Sequence, residues 1–391
     1  MNRSFFKRLA SYVLVATLAS GVTFWLCRES GQGMSKLEQL QLLISERYVD
    51  AAELDMTALE DAAAEGMLAA TGDRWSYYIP AFEFATMVEQ KQNAYVGIGV
   101  TISVREDKLG FDIIQVEPGG GAQEAGVLPG DILVAVEGQD AVILGTAGCR
   151  ELIRGEEGTR VSVTVLRDGE RIDFSLVRKT IRVTVAKGEM LEGNVGLVTI
   201  ANFDDRCAEE TKKAIQTLVS QGATALIFDV RNNPGGYKHE LVEVLDYLLP
   251  KDLVLFRSRY FNGNESVDVS DSRYLEMPMV VLINSETYSA AEFFAAALEE
   301  HEWAITVGDA TCGKGNYQNT FQFTDGSGVA LSTGKYFTPK GVSLADAGGL
   351  QPQVLVEVSQ EEAAMIYAGL VEPEDDPQIL AALHVLLAKE D

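Results

Sequence analysis

At 391 residues the chain is long enough for two or three domains, each with a core of its own. Its 58 acidic and 32 basic residues leave a net charge of −26, a surface that repels nucleic acid and so excludes DNA and RNA as partners. Four cysteines (Cys27, Cys149, Cys207, Cys312) at irregular spacing fit neither a zinc site nor a disulfide framework, and with three histidines in all, neither a metal nor any other cofactor is expected.

Residues 1–30 read as a basic flank and membrane anchor. Arg3, Lys7 and Arg8 precede Leu9 to Cys27, 19 residues without a charge. At about 1.5 Å per residue this nearly spans the ~30 Å core of a bilayer. The basic flank stays in the cytoplasm, which places the remainder of the chain outside it. Ala19-Ser20-Gly21 is a weak cleavage site, but Phe24, Trp25 and Leu26 prolong the apolar stretch and suit an uncleaved, single-pass anchor. Residues 31–93 are helical in pattern: Leu37, Leu40, Leu42, Leu43 and Ile44 form an apolar stripe, and a second helix is predicted from Met56 to Ala70.

Residues 94–180 form a separate unit. Tyr95-Val96-Gly97-Ile98-Gly99-Val100 opens it, strand-like alternation follows, and Ala125-Gly126-Val127-Leu128-Pro129-Gly130-Asp131 turns the chain before a helix around Thr146 to Ile153. Strands at Val161–Leu166 and Arg171–Val177 close it. The unit resembles a PDZ domain of the bacterial protease type. Such a domain adds a peptide tail as a strand to a sheet edge while loop amides receive the terminal carboxylate. Gly97, Ile98, Gly99 and Val100 are the candidate peptide-binding residues, the two glycines because bare backbone can approach the ligand. A tight turn into a small β-domain without a ligand is the alternative.

Residues 181–357 alternate strands and helices. Val195–Ile200 is predicted as a strand, Ala208 to Gln221 as an amphipathic helix, and Ala223–Val230 as an apolar strand that ends in Arg231-Asn232-Asn233-Pro234-Gly235-Gly236. Glycines after a strand end, ahead of a helix from Lys238, present free amides. The run Val280-Val281-Leu282-Ile283-Asn284 predicts a buried strand carrying a polar loop, and Ala290 onward is a run of strong helix formers. Ser289 therefore stands at a helix amino terminus, where a hydroxyl can attack a carbonyl while the Ala290 amide stabilises the oxyanion. By itself such a serine is only an N-cap. Lys314, between Gly313 and Gly315, is placed to be packed out of water and so to lose its proton readily. Gln318, four residues on, is a candidate to hold the amine.

Asn284-x-x-x-x-Ser289-Ala290-x-Glu292 followed by Gly313-Lys314-Gly315-x-x-Gln318 resembles the carboxyl-terminal processing peptidases, or tail-specific proteases, which are Ser/Lys serine endopeptidases. The resemblance implies Ser289 as nucleophile, Lys314 as base and Gln318 as the residue orienting the lysine. It implies Gly235, with Gly236 as alternative, as the second oxyanion donor beside Ala290. It also implies an α/β core of the Clp-protease and crotonase type with an inserted PDZ domain, amino-terminal helices and a closing helix. Thr287-Tyr288 and Cys312 depart from the family pattern next to the reacting groups. Residues 358–391 are acidic and then helical, for packing or a dimer contact. The function so implied is cleavage of proteins and peptides with accessible carboxyl-terminal tails, the PDZ unit selecting substrate and gating access. A membrane-tethered PDZ scaffold without activity is the rival, and an acyl-CoA hydratase-like enzyme leaves the PDZ unit unexplained. His239, His301 and His384 have no acid partner discernible from sequence.

Overall fold

The computed structural model describes residues 34–105, 107–271 and 274–388. The apolar stretch Leu9–Cys27 lies outside them, and among the described residues no helix is long and apolar enough to cross a membrane. The chain divides after Thr71 into two compact units.

The first unit holds α1 (Lys36–Arg47) and α2 (Met56–Ala69). Ser35 caps α1 in a reciprocal pair: Ser35 N donates to Glu38 Oε2 at 2.6 Å and Glu38 N to Ser35 Oγ at 3.2 Å. Asp55 caps α2 through Thr57 N and Ala58 N. Neither helix buries a residue, and Leu37, Leu40, Leu42 and Leu43 stay exposed.

The second unit begins with β1 (Tyr77–Ile79), stopped by Pro80, and α3 (Ala81–Lys91). A strand inside a stretch that reads as helical is a correction to the sequence pattern. Its partner β18, described below, lies some 250 residues away, beyond the reach of local periodicity. Next, β2 (Ala94–Gly97) pairs antiparallel with β9 (Lys179–Arg182), so the chain enters and leaves the PDZ-like unit through one two-stranded stem. Between them lie β3 (Val100–Val104), β4 (Phe111–Val116), α4 (Gly121–Ala125), β5 (Ile132–Val136), β6 (Gln139–Asp140), α5 (Ala141–Ile153), β7 (Arg160–Arg167) and β8 (Glu170–Val177). The strands form an antiparallel sheet in the order β3-β4-β5-β7-β8, leaving one edge of β3 open. Gly145, at φ +69°, breaks α5, so its second part starts at Thr146. Ile113, Leu133, Cys149, Val163 and Leu176 fill this unit's own core.

The remaining strands make two sheets. The first runs β10 (Ala186–Leu191), β11 (Val195–Ile200), β12 (Ala225–Asp229), β15 (Met279–Ile283), β16 (Ala304–Gly308) and β19 (Val354–Leu355), parallel from β11 to β19. Alternate side chains serve opposite faces. Val198, Phe228 and Val281 meet Ile215 of α6 (Cys207–Ser220), Leu245 of α7 (Lys238–Leu248) and Phe294 of α8 (Ala290–Glu300). Leu197, Ile227 and Leu282 on the other face meet Ile379 and Ala382 of the closing helix, Pro377–Leu387. The second sheet holds β1, β13 (Val254–Tyr260), β14 (Glu265–Val269), β17 (Asn316–Gln322) and β18 (Gly328–Phe337), with the β17–β18 hairpin turning at Asp325-Gly326. The chain ends with α9 (Leu344–Ala347), α10 (Gln360–Tyr367) and α11, the closing helix. The carboxyl ends of the adjacent strands β12 and β15 deliver the two loops that build the site.

Candidate active site

The first loop, Arg231–Gly236, is fixed from both sides. Arg231, 5 % exposed at its side chain, pairs with Asp229 at 2.6 Å and with Asp376 at 2.9 Å, which ties the loop to the cap of α11. This gives the acidic tail a packing role. Asn233 is fully buried; its Nδ2 donates to Ile200 O, its Oδ1 accepts from Gly235 N at 2.9 Å, and its carbonyl accepts from Tyr288 N. Asn232 and Asn284 exchange two further bonds between the loops.

The second loop, Asn284–Ser289, runs straight into α8. Ser289 sits at the turn with φ +52° and ψ −122°, a strained conformation for a residue with a side chain, and is 7 % exposed. This is the geometry of a nucleophile elbow, a sharp strand-to-helix turn that sets a hydroxyl at the helix mouth. A Cβ on Gly235 would come within 2.8 Å of Ser289 Cβ and 2.9 Å of Ala290 N, so only glycine allows this approach. The Gly235 amide is already bonded to Asn233. The amides of Gly236 and Ala290 make no hydrogen bond among the described residues. Gly236 also lines a cleft of about 630 Å³ with Gln318, Tyr237, Ser258, Tyr260 and residues of α3.

Lys314 reaches the same place through a carboxylate. Glu292, one turn into α8 and fully buried, accepts from Ser289 N at 2.7 Å and Lys314 N at 2.9 Å on one oxygen, and from Thr311 Oγ1 at 2.6 Å and Gly313 N at 2.7 Å on the other. Burial pushes its carboxyl upward, against these four donors, which favour the ionised form. The loop is packed closely: a Cβ on Gly313 would meet Gly349 N at 2.9 Å, and one on Gly315 would meet Ala345 Cβ at 2.8 Å. Burial, and then the charge of Lys91, holds the Lys314 ammonium below its ordinary range. Its Nζ lies 4.7 Å over the Trp75 ring, which Tyr288 meets edge-on and Arg74 covers from 4.3 Å.

Ser289, Ala290, Gly235 and Lys314 are thus brought together. Gln318, at the start of β17, donates to Ser332 Oγ at 3.1 Å and Asn316 O at 3.3 Å, and Lys314 Nζ makes no hydrogen bond to Ser289 or Gln318 among the described residues. Ser332 N in turn donates to Ser76 Oγ, and Ser76 to Asp73 Oδ2 at 2.6 Å. Asp73, Trp75 and Ser76 therefore border the site, in a stretch, Asp73 to Pro80, whose sequence resembles the family's short motif before its binding domain. Glu292 was also readable: an acid three residues after an N-cap serine is the capping-box pattern. Cys312 lies against the Tyr288 hydroxyl, which its bond to Glu286 pushes up to about 12, while burial raises the thiol.

Glu292→Gln is expected to be severe. In either orientation a glutamine turns its NH₂ toward at least one backbone N–H, that of Gly313 or those of Ser289 and Lys314, which costs on the order of 3 kcal/mol. The melting temperature and kcat should fall together, and wild-type kcat in a folded variant would remove Glu292 from the account.

The histidines stand apart from this geometry. His301 Nε2 is bonded to Val254 O at 2.7 Å. His239 is exposed, stacked on Tyr237, with Asp205 and Glu240 near enough to share a metal ion. Glu240, however, already accepts from Arg206 N and Ala208 N at the start of α6.

In the PDZ-like part of the chain, Gly97 ends β2, Val100 begins β3, and the amides of Ile98 and Gly99 make no bond among the described residues. These four residues line a groove of about 350 Å³ with Thr146, Arg150 and Ile153 of α5.

An elbow serine at a helix mouth, unbonded amides beside it and a half-buried lysine on a neighbouring loop lie together on an α/β core, an arrangement suited to acyl transfer. Peptidase family S41 matches residues 194–356, and a PDZ domain matches residues 113–167. The carboxy-terminal processing protease CtpA of Bacillus subtilis is 32% identical over 359 residues, covering 88% of this chain and 76% of its own. The carboxyl-terminal-processing protease of Synechocystis is 28% identical over 330 residues, covering 83% and 76%. A putative S41 protease from Bacteroides fragilis shares the fold at a TM-score of 0.52 and 16% identity, over 90% of this chain and 98% of that one. The chain belongs to peptidase family S41, as a serine protease carrying a PDZ domain.

Proposed function

We propose that this protease is a carboxyl-terminal processing endopeptidase that works by a Ser289/Lys314 dyad, outside the cytoplasm and tethered through Leu9–Cys27. The observation that carries the reading is the single Glu292 oxygen that holds both the Ser289 and the Lys314 amides. Neutral Lys314 takes the Ser289 Oγ proton as Oγ attacks the scissile carbonyl. The amides of Ala290 and of the glycine pair receive the oxyanion, with Gly236 favoured over Gly235 because its amide is free. The tetrahedral adduct collapses, the Lys314 ammonium returns its proton to the departing amine, and an acyl-enzyme remains. Water, deprotonated by the same lysine, then releases the new carboxylate. Gln318 is assigned to hold the amine once it swings from the Trp75 face toward Ser289, since apo catalytic contacts are often long.

The first test offers peptides of one sequence with free or amidated carboxyl ends. Tail capture in the PDZ groove predicts faster cutting of the free acids, unaffected by chelators. Equal rates would remove tail recognition, and a chelator-sensitive rate restored by zinc would remove the dyad.

The base form of Lys314 exists above its lowered pKa, so activity should rise with pH and be lost as pH falls through that value. Between this value and the ~10.4 of an unfolded lysine, the unfolded chain binds more protons, so this site's contribution to stability rises with pH across the window. Trp75 acts in two senses: it excludes water, which disfavours the ammonium, and its face attracts the cation by about 0.5–1 kcal/mol. Burial is the larger influence, so Trp75→Ala should move the rising limb of kcat/KM to higher pH. A shift to lower pH would show the ring attraction to dominate.

A further inference from the structure

The PDZ groove carries a charge pattern that tail capture alone does not require. The protein is strongly acidic, yet two arginines, Arg150 and Arg154, line this groove and no acidic residue does. The two are not equivalent. Arg154 lies 5.6 Å over the Tyr95 ring and pairs with Glu89 of α3 at 3.5 Å. Arg150 is exposed, and its guanidinium makes no hydrogen bond or ion pair among the described residues.

Position fixes what Arg150 meets. Arg154 beside Tyr95 sets the carboxyl end of α5 next to the Gly97–Gly99 loop, where the unbonded Ile98 and Gly99 amides point to a terminal carboxylate. A tail paired with the open edge of β3 runs from that loop back along α5, past Arg150 and then Thr146. Four helical residues from Arg154 to Arg150 rise about 6 Å, and an extended peptide covers that in about two residues. We propose that this groove selects tails with an aspartate or glutamate two residues before the terminal one, read by the Arg150 guanidinium. The inference rests on tail capture by the groove, and it names the substrate class: acidic-ended tails of otherwise unstructured protein. The wider protein surface, at net charge −26, repels such tails, so the arginine pair also marks where they can land.

The experiment uses the full chain with Ser289→Ala, so that bound peptide is not cut, and fluorescein-labelled peptides that differ only at the third residue from the end: Glu, Gln or Lys. Anisotropy titrations at low salt should give about fivefold tighter binding for Glu than for Gln, and weaker binding for Lys. Raising the salt should narrow the gap. Arg150→Gln should erase the Glu–Gln difference. Equal binding of the Glu and Gln peptides to the Arg150 protein would overturn the proposal, as would a difference that survives Arg150→Gln. Amidated versions separate the two readings. If amidation weakens every peptide and Glu equals Gln, tail capture stands and acid selection falls; if amidation changes nothing, tail capture falls and takes acid selection with it.

Discussion

Ser289→Ala and Lys314→Ala are each expected to lower kcat/KM by on the order of 10⁴ or more, and the double variant to be no worse than either single one. The reason is that the two groups perform one step: without the amine the hydroxyl keeps its proton, and without the hydroxyl the amine has nothing to activate. Both variants should fold, because neither side chain is among those holding the site. The clamp consists of the Glu292 carboxylate with the Thr311 hydroxyl and the backbone amides of residues 289, 313 and 314, and a change to Ala at 289 or 314 keeps all four donors. Circular dichroism and melting temperature should therefore match the parent. A Lys314→Ala protein with near-normal activity would end the dyad and return attention to the histidines, although His301 is committed to the Val254 carbonyl.

Deleting residues 95–179 is expected to raise the rate of cleavage of an unstructured protein by about tenfold and to abolish the preference for free carboxyl ends. The expectation follows from α3. Its Phe84, Met87, Val88 and Lys91 line the cleft beside Gln318 and Gly236, and its Glu89 is held by Arg154 of the PDZ unit. Removing the unit releases that hold and opens the cleft. A dead enzyme would show instead that tail binding assembles the Lys314 geometry, and an unchanged maximal rate with raised KM would reduce the unit to a tether.

Much of this was legible in the sequence, for local reasons. The strand β15, the helix α8 and Ser289 at its mouth follow from an apolar run, a polar loop and helix formers in succession. The glycine loop after β12 and the helix from Thr146 followed in the same way, the latter sharpened by the Gly145 break. What escaped is non-local. The stretch from Asp73 to Pro80 resembles a family motif, but no local pattern there names Lys314 or Ser332 as neighbours, and β1 was hidden because its partner is β18. The choice between Gly235 and Gly236 turned on one side chain, Asn233, whose rotamer no pattern encodes.

Activation of Ser289 by Lys314 can be read by phosphonylation with a serine-directed fluorophosphonate, followed by mass spectrometry of the peptide containing residue 289. One adduct is expected, on Ser289 Oγ, forming faster as pH rises through the lowered Lys314 pKa, and failing to form in Lys314→Ala. Labelling of Ser289 at an undiminished rate in Lys314→Ala, or an adduct on another residue with loss of activity, would contradict it.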